Sequence, residues 1–468
     1  MAVAVAVALA PDAFGVVGTI GGAYAIVAFS GEKCAGIVVV RMLIFLHPVT
    51  IMARRRALSP VVAGAVLASL VTVALLLHKD RTADARNAVR LATPLEQAPV
   101  SASESAIRDS DVAFYTRRTI EDTASATDRF TLAGMLYARS RATGSQGDLK
   151  RAESLALQSS SLRTQRNSQA LALLASIRMA RHDFTGARDV AMRADSIDPN
   201  TAPHLALLGE IELELGDYAA AAAHFTAVNV GTQQFTIGAR LARWYELTGR
   251  IDLARQYLTR SIAEVDQRDD LPREQRAWFH YRLGELELRA GNVAAAEKAF
   301  RAGLALKSDD IRVLGGLARA ALARGSAGDA IEFGERATFI QLDPATLGTV
   351  SLGYAMRGDS VQAASYAHAM SVSALQQPGA IHRAWGLFLL DHGTAADRRT
   401  VLARARQDLR VRKDVYGHDL VAWALYRNGQ RDAARAEMRL AMAQGTQDVM
   451  LTAHAKAIGL DASASTRN

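Results

Sequence analysis

Cysteine is nearly missing from this chain: Cys34 is the only one in 468 residues. A single thiol cannot close an internal disulfide, and it cannot supply the ligand set of a structural zinc or iron–sulfur site. Proline is scarce, at 10 residues, while alanine and leucine are abundant, and that balance favours helix over sheet. An excess of one charge is missing too. The net charge of +8 is modest for this length, arginines alternate with acids, and no dense basic run occurs. Solvated helix faces account for that pattern, and no nucleic-acid partner is expected. The motifs of common catalytic sites are also absent. There is no His-Glu-x-x-His, no Walker loop, no nucleophile elbow and no Cys-x-x-Cys pair, so neither enzymatic activity nor a cofactor is expected. His182-Asp183 and His418-Asp419 come nearest to a metal or acid–base dyad. Adjacent helical residues point to different sides, however, and both pairs read as ordinary surface residues.

What is present is a globular balance of 50% hydrophobic and 22% charged residues. Residues 1–51 form an apolar extension that opens with MAVAVAVALA. The glycines of GVVGTIGG (Gly15, Gly18, Gly21, Gly22) superficially resemble a phosphate-binding loop, but residues 23–51 offer no strand–helix–strand continuation. Met52 begins MARRR before an apolar run, which is how a membrane-targeted chain ordinarily starts, so translation is expected to begin there.

Pro60–Leu77 carries no charge over 18 positions and is bounded by Arg54-Arg55-Arg56 and by His78-Lys79-Asp80-Arg81. With Leu58 and Ser59 it reaches the ~20 residues that span a hydrocarbon core. Residues 52–79 are therefore expected to be a transmembrane signal anchor that contacts the bilayer through 58–77. The short arginine tail places the N-terminus inside and the remainder outside the cytoplasm. Cleavage near Ala83-Asp84-Ala85, releasing a secreted form, stays open as an alternative. Residues 80–128, with Pro94, Pro99 and SASES, read as a polar linker and short helix.

From residue 129 onward one unit is copied. His204–Val228 places Leu205, Leu208, Ile211 and Leu215 at helical spacing, breaks at Gly216-Asp217, then restarts with Tyr218, Ala221, Ala222, Phe225 and Val228. Comparable turns fall at Gly249, Gly291, Gly325, Gly358, Gly393 and Gly429, at spacings of 33 to 36 residues apart from one of 42. The long interval holds VDQRDDLP (265–272), either a break between sub-arrays or a longer loop. His182-Asp183 takes the turn position upstream, and Gly147-Asp148 marks a still earlier unit, for about nine hairpins. A small residue stands five positions after most turns (Ala221, Ala254, Ala296, Ala330, Ala434) and another seven before (Gly209, Ala242, Gly284, Ala318, Ala422). Small side chains there let paired helices approach closely. Arg398 breaks the rule, so the hairpin turning at Gly393 is expected to pack loosely or be offset.

This small–turn–small spacing resembles the tetratricopeptide repeat family, as do Phe225 and Phe300 at the large position and Pro199 ending a repeat. The resemblance implies an all-α fold: a right-handed superhelical solenoid over 129–447, then a capping helix and polar tail over 448–468. It also implies first helices that line a concave groove for protein or peptide partners. The matching positions here are Glu210, Glu214, Arg243, Glu246, Trp278, Tyr281, Glu285, Arg289, Arg319, Asp419, Trp423, Tyr426 and Arg427. Aromatics beside arginines suit a peptide-binding surface, although Trp278 and Trp423 equally suit a core. The Lys/Asn clamp by which some family members grip a C-terminal carboxylate is missing. The expected protein is a single-pass membrane scaffold or adaptor. The alternative is an accessory subunit of an envelope polysaccharide or lipid-export complex.

Overall fold

A computed structural model describes residues 3–9, 14–20, 24–31, 34–41, 100–228, 235–376 and 381–460. The chain divides into two compact units, Met1–Leu91 and Ala92–Asn468. In the first, strands β1 (Val3–Leu9), β2 (Phe14–Ile20), β3 (Tyr24–Gly31) and β4 (Cys34–Arg41) pair antiparallel in the order β1-β2-β3-β4. The register sets Val3 opposite Ile20 and Tyr24 opposite Arg41. Valine-rich alternation with a period of two suits a strand, and short connections suit antiparallel neighbours. These strands stand outside the all-helical expectation, which applies to the second unit. Gly15 and Gly18 lie inside β2, paired with Ala8 and Val5 of β1, not in a strand-to-helix turn that could cradle a phosphate. The expected anchor at 58–77 lies outside the described residues, and no described helix is long and apolar enough to cross a membrane.

The described part of the second unit is helical throughout. After α1 (Val100–Glu121) come nine hairpins: α2 (Ala126–Thr143) with α3 (Gln146–Leu162), α4 (Ser168–Ala180) with α5 (Phe184–Ile197), and α6 (Ala202–Leu215) with α7 (Tyr218–Ala227). Next are α8 (Phe235–Leu247) with α9 (Ile251–Val265), α10 (Arg273–Arg289) with α11 (Val293–Leu306), and α12 (Ile311–Ala323) with α13 (Ala327–Ile340). The last are α14 (Pro344–Met356) with α15 (Ser360–Leu375), α16 (Arg383–His392) with α17 (Ala395–Asp408), and α18 (Val415–Arg427) with α19 (Arg431–Met442). α20 (Val449–Ile458) follows them.

The turns explain the period. Gly216, Gly249, Gly291, Gly325, Gly358 and Gly429 all take φ between 74° and 86°, the left-handed region that a Cβ disfavours. Asp217 and Asp359 then cap the next helix, accepting from Ala220 N and Gln362 N. His182 holds the same left-handed conformation at φ 61° without being glycine. The first hairpin turns at Gly144, φ 71°, with Ser145 as cap, so Gly147 lies inside the first turn of α3 and not at the bend. Gly393 also departs from the pattern: its backbone is extended at φ −84° and ψ 177°, and Thr394 with Asp397 forms a capping box. Arg398 donates back to Gly393 O there, so this hairpin alone among the nine turns by a different route.

Packing follows the small–large logic. The Phe300 ring lies against both Gly284 and Gly316, where an added Cβ would sit 2.4 and 2.5 Å from it. Phe225 fills the space over Gly209 and stacks on Trp244 at 5.3 Å. Burying such a ring stabilises the fold by about 2–3 kcal/mol. Between Val265 and Arg273 the chain makes only a longer loop. Ala239, Leu258, Val265, Phe279 and Leu286 form one core across it, so the array is continuous there.

The array also meets itself. Lys413 N donates to Leu215 O at 3.1 Å, and Val415 N to the Tyr218 hydroxyl at 2.9 Å. Gln447 Nε2 donates to Gly249 O at 2.9 Å, and Thr446 donates to Leu247 O. Gly144 faces the Gln341 side chain in the same way, and Gly291 faces Val449. The turns of the early hairpins thus abut the inter-hairpin loops lying about one superhelical turn later. Small rotations between stacked repeats accumulate into such a turn. These contacts form a seam between successive coils of the array.

Candidate functional site

The inward side of the first helices carries an ion-pair ladder that links the third, fourth, fifth and sixth hairpins in turn. Arg240 on α8 reaches back to Glu210 on α6 at 2.7 Å. Glu246, on the last turn of α8, receives Arg243 at 3.0 Å, Arg289 at 2.6 Å and Arg282 at 3.4 Å. Arg289 also touches Glu285 at 3.2 Å, and Arg319 on α12 reaches the same carboxylate at 2.5 Å. Burial alone would raise the pKa of Glu246, but the three guanidiniums overcome it and hold the group well below the usual carboxylate range. Glu285 is lowered by the same opposition, with Arg319 and Arg289 outweighing burial. Arg282 moves the other way. Its burial, with Arg289 and Arg243 nearby, outweighs Glu246 and lowers its affinity for a proton.

Tyr416, at the start of α18, crosses this interior. Its ring lies under Arg383 at 4.7 Å and Arg243 at 5.5 Å, and its hydroxyl donates to Asp448 at 3.2 Å. Burial pushes the phenol up to about 12. Arg412 joins the seam, contacting Glu214 at 3.3 Å and lying over the Phe184 ring at 5.1 Å. A second cluster surrounds Asp419, which is fully buried. Arg383 contacts it at 2.5 Å and His454 Nδ1 at 2.7 Å, and the His454 ring stacks on Trp423 at 4.2 Å. Trp423 Nε1 and Arg427 both donate to Asp391, at 3.0 and 2.8 Å, and Tyr426 stacks on Trp423.

The thirteen residues named from the sequence therefore fall into three places. Glu210, Glu214, Arg243, Glu246, Tyr281, Glu285, Arg289 and Arg319 belong to the interior network and the seam beside it. Asp419, Trp423, Tyr426 and Arg427 make the C-terminal cluster, in which Trp423 is buried as a core residue. Trp278 stands apart, half-buried, with Arg141 over its ring at 5.5 Å. Six residues that belong with them escaped the sequence reading: Arg240, Arg282, Arg383, Arg412, Tyr416 and His454. One signal was available. Arg383 stands ten positions before Gly393, as Tyr281 does before Gly291 and Asp419 before Gly429.

The two dyads separate. His182 packs edge-on against Phe184 while Asp183 caps α5. His418 contacts Glu437 at 2.5 Å while Asp419 faces His454. The acidic run divides likewise: Glu210 meets Arg240, Glu212 meets His224 at 2.7 Å, and Glu214 meets Arg412. Among the described residues no group of three His, Cys, Asp or Glu side chains could hold a metal ion.

No known family's sequence profile matches the chain, and no curated protein matches it. Solved structures do overlap with it. PilW, a widely conserved type IV pilus biogenesis factor, is 19% identical over 44% of this chain and 94% of its own, with a TM-score of 0.37. Pseudomonas aeruginosa pilF is 17% identical over 48% of this chain and 97% of its own, with a TM-score of 0.36. A tetratricopeptide repeat protein from Parabacteroides merdae is 16% identical over 62% and 98%, with a TM-score of 0.33. With TM-scores below one half, these likenesses assign this chain no role.

Proposed function

We propose that the chain is a membrane-anchored scaffold of tetratricopeptide-like hairpins that holds protein or peptide partners and carries out no catalysis. The observation that carries this reading is the stack of nine hairpins among the described residues, which presents aromatic–arginine pairs at half-buried positions. Trp278 lies under Arg141, and Tyr426 stands beside Arg427 on the half-buried rim of the C-terminal cluster. Such pairs supply large contact area with little loss of conformational freedom, and they anchor protein interfaces elsewhere. Most of the residues deeper inside pair with one another, so partners are placed on the half-buried Trp278 and Tyr426, with Arg427 beside them in contact with Asp391. Residues 58–77 hold the chain in the bilayer, with the repeat array outside the cytoplasm.

In-cell crosslinking of the tagged full chain, followed by mass spectrometry, tests the scaffold. The comparison is a chain carrying Trp278→Ala, Tyr426→Ala and Arg427→Ala. Specific protein partners that are captured by the first and lost from the second are the expected result. Capture of none rejects the scaffold, and unchanged capture rejects this surface. Membrane fractionation of a chain lacking 58–77 tests the anchor separately, since loss from the membrane fraction is expected.

A further inference from the structure

On the inward side of the array, one carboxylate is shared by three guanidiniums. Arg243, Arg282 and Arg289 all converge on Glu246, and Arg319 joins through Glu285, so four arginines face two acids. The donors outnumber what the acids can accept. Arg282 makes only the longest of these contacts, at 3.4 Å, and Arg289 Nη2 is buried with no hydrogen-bond partner. Guanidiniums present several N–H donors in a rigid fork matched to tetrahedral and planar oxyanions. The Arg243, Arg282 and Arg289 side chains remain 17%, 17% and 25% accessible, so solvent-sized species reach them.

We propose that this interior is a binding site for a small multivalent oxyanion of the phosphate class, bridged by Arg243, Arg282 and Arg289 beside Glu246. The anion supplies the negative charge that the acids leave short. Its size is limited by the molecule itself. Tyr416 spans the space between Arg243 and Arg383 with its hydroxyl on Asp448, and the seam from Leu215 to Lys413 runs beside it. Phosphate and pyrophosphate are small enough to meet side chains that are only 17–25% accessible. The acids serve the four guanidiniums unequally: Glu246 and Glu285 outweigh burial at Arg243, Arg289 and Arg319 and raise their proton affinity, whereas at Arg282 burial outweighs Glu246 and lowers it. The site does not depend on the aromatic positions assigned to protein partners, although Trp278 stands one helical turn before Arg282 on α10.

Calorimetry and thermal unfolding of the full chain in inorganic phosphate and in pyrophosphate, against chloride at equal ionic strength, test the site. The expected result is saturable binding of one anion per chain and a higher unfolding midpoint than chloride gives. Arg282→Gln keeps a polar side chain but removes the charge and the guanidinium fork, and it is expected to weaken binding about tenfold. Glu246→Gln gives the opposite sign: with the internal carboxylate gone, the folded chain is expected to depend more on the anion, so phosphate should rescue its lowered midpoint. Equal midpoints in phosphate and chloride for the native chain and for Glu246→Gln overturn the proposal. So does unchanged binding by Arg282→Gln, since a merely structural network would respond to none of these anions.

Discussion

Lys413 gives its backbone N–H to the carbonyl of Leu215 at 3.1 Å, joining the third hairpin to the loop before the ninth. Gly216 sits at this contact with φ 81°, and an added Cβ would lie 2.1 Å from Lys413 O. Gly358 has nearly the same φ, 78°, but nothing lies within 4 Å of its would-be Cβ. Gly216→Ala and Gly358→Ala therefore share the left-handed backbone strain of about 1–2 kcal/mol, and only the former also forces the seam apart. Denaturant unfolding should show the larger loss for Gly216→Ala, with faster exchange of the Lys413 amide in that variant alone. Equal losses and unchanged exchange would mean the seam carries no stability.

The seam should also respond to pH. Asp414 is raised to about 6, chiefly by burial and further by Glu214, against the opposing pull of Arg412 and Arg243. A carboxyl raised in this way binds its proton more tightly folded than unfolded. Its contribution is therefore full below the unfolded value of 3.8 and is lost as pH rises through about 6. On the order of 2 kcal/mol is involved. Exchange of the amides at 413–417 should accelerate between pH 5 and 7.5 in the native chain, beyond the intrinsic change. Asp414→Asn keeps the side-chain cap on Gly417 N and should flatten that profile. A native profile already flat across this range rules the group out as the source.

Gly284 and Gly316 leave room for one ring, Phe300, whose atoms would stand 2.4 and 2.5 Å from a Cβ at either position. Gly284→Ala gains helix propensity of about 1 kcal/mol but overpacks the core at a cost of about 1–3 kcal/mol. The net effect expected in thermal unfolding is a loss. In combination with Phe300→Leu the glycine substitution should become neutral or favourable, because the shorter side chain vacates the space. Additive effects in that double-mutant cycle would show that the two positions do not share a cavity.

Much of this architecture was legible, and the reason lies in locality. A glycine at a left-handed turn, a cap after it and a small residue facing a large one are all settled within some 34 residues. Gly216, Gly249 and Gly429 could thus be placed before any coordinates. His182 fits the same turn for a reason specific to its backbone, and the Gly393 turn was marked as irregular by Arg398. Gly144 escaped because the first hairpin's second helix starts directly after Ser145, which hid the bend behind the more prominent Gly147-Asp148. The interior was less readable. Glu246, Arg289 and Asp419 could be assigned to inward faces, but whom they face depends on the pitch of the whole stack. No local pattern brings Tyr416 under Arg243 or sets Lys413 on Leu215. The strand pairing over Val3–Arg41 is a different omission: the Ala–Val alternation of MAVAVAVALA has the period of two that a strand requires, but a sheet also needs partners, and those lie in later segments.

Asp419 offers the sharpest test of the C-terminal cluster. It is fully buried, and its two oxygens are taken by His454 at 2.7 Å and Arg383 at 2.5 Å. Burial alone would raise its pKa, but the His454 and Arg383 contacts outweigh that and lower it. A depressed carboxylate contributes stability that is full above the unfolded value of 3.8 and is lost as pH falls through the folded one. Asp419→Asn leaves the Arg383 guanidinium without its counter-charge, and the expected loss near neutral pH is about 3–5 kcal/mol. The gap from the native chain should be wide at neutral pH and narrow below pH 4, as the carboxylate takes up a proton first in the unfolded chain and then in the folded one. Urea titrations across that range measure both limbs. A gap as wide at pH 3 as at pH 7 would show that the loss comes from altered packing around Trp423 and not from the charge on Asp419.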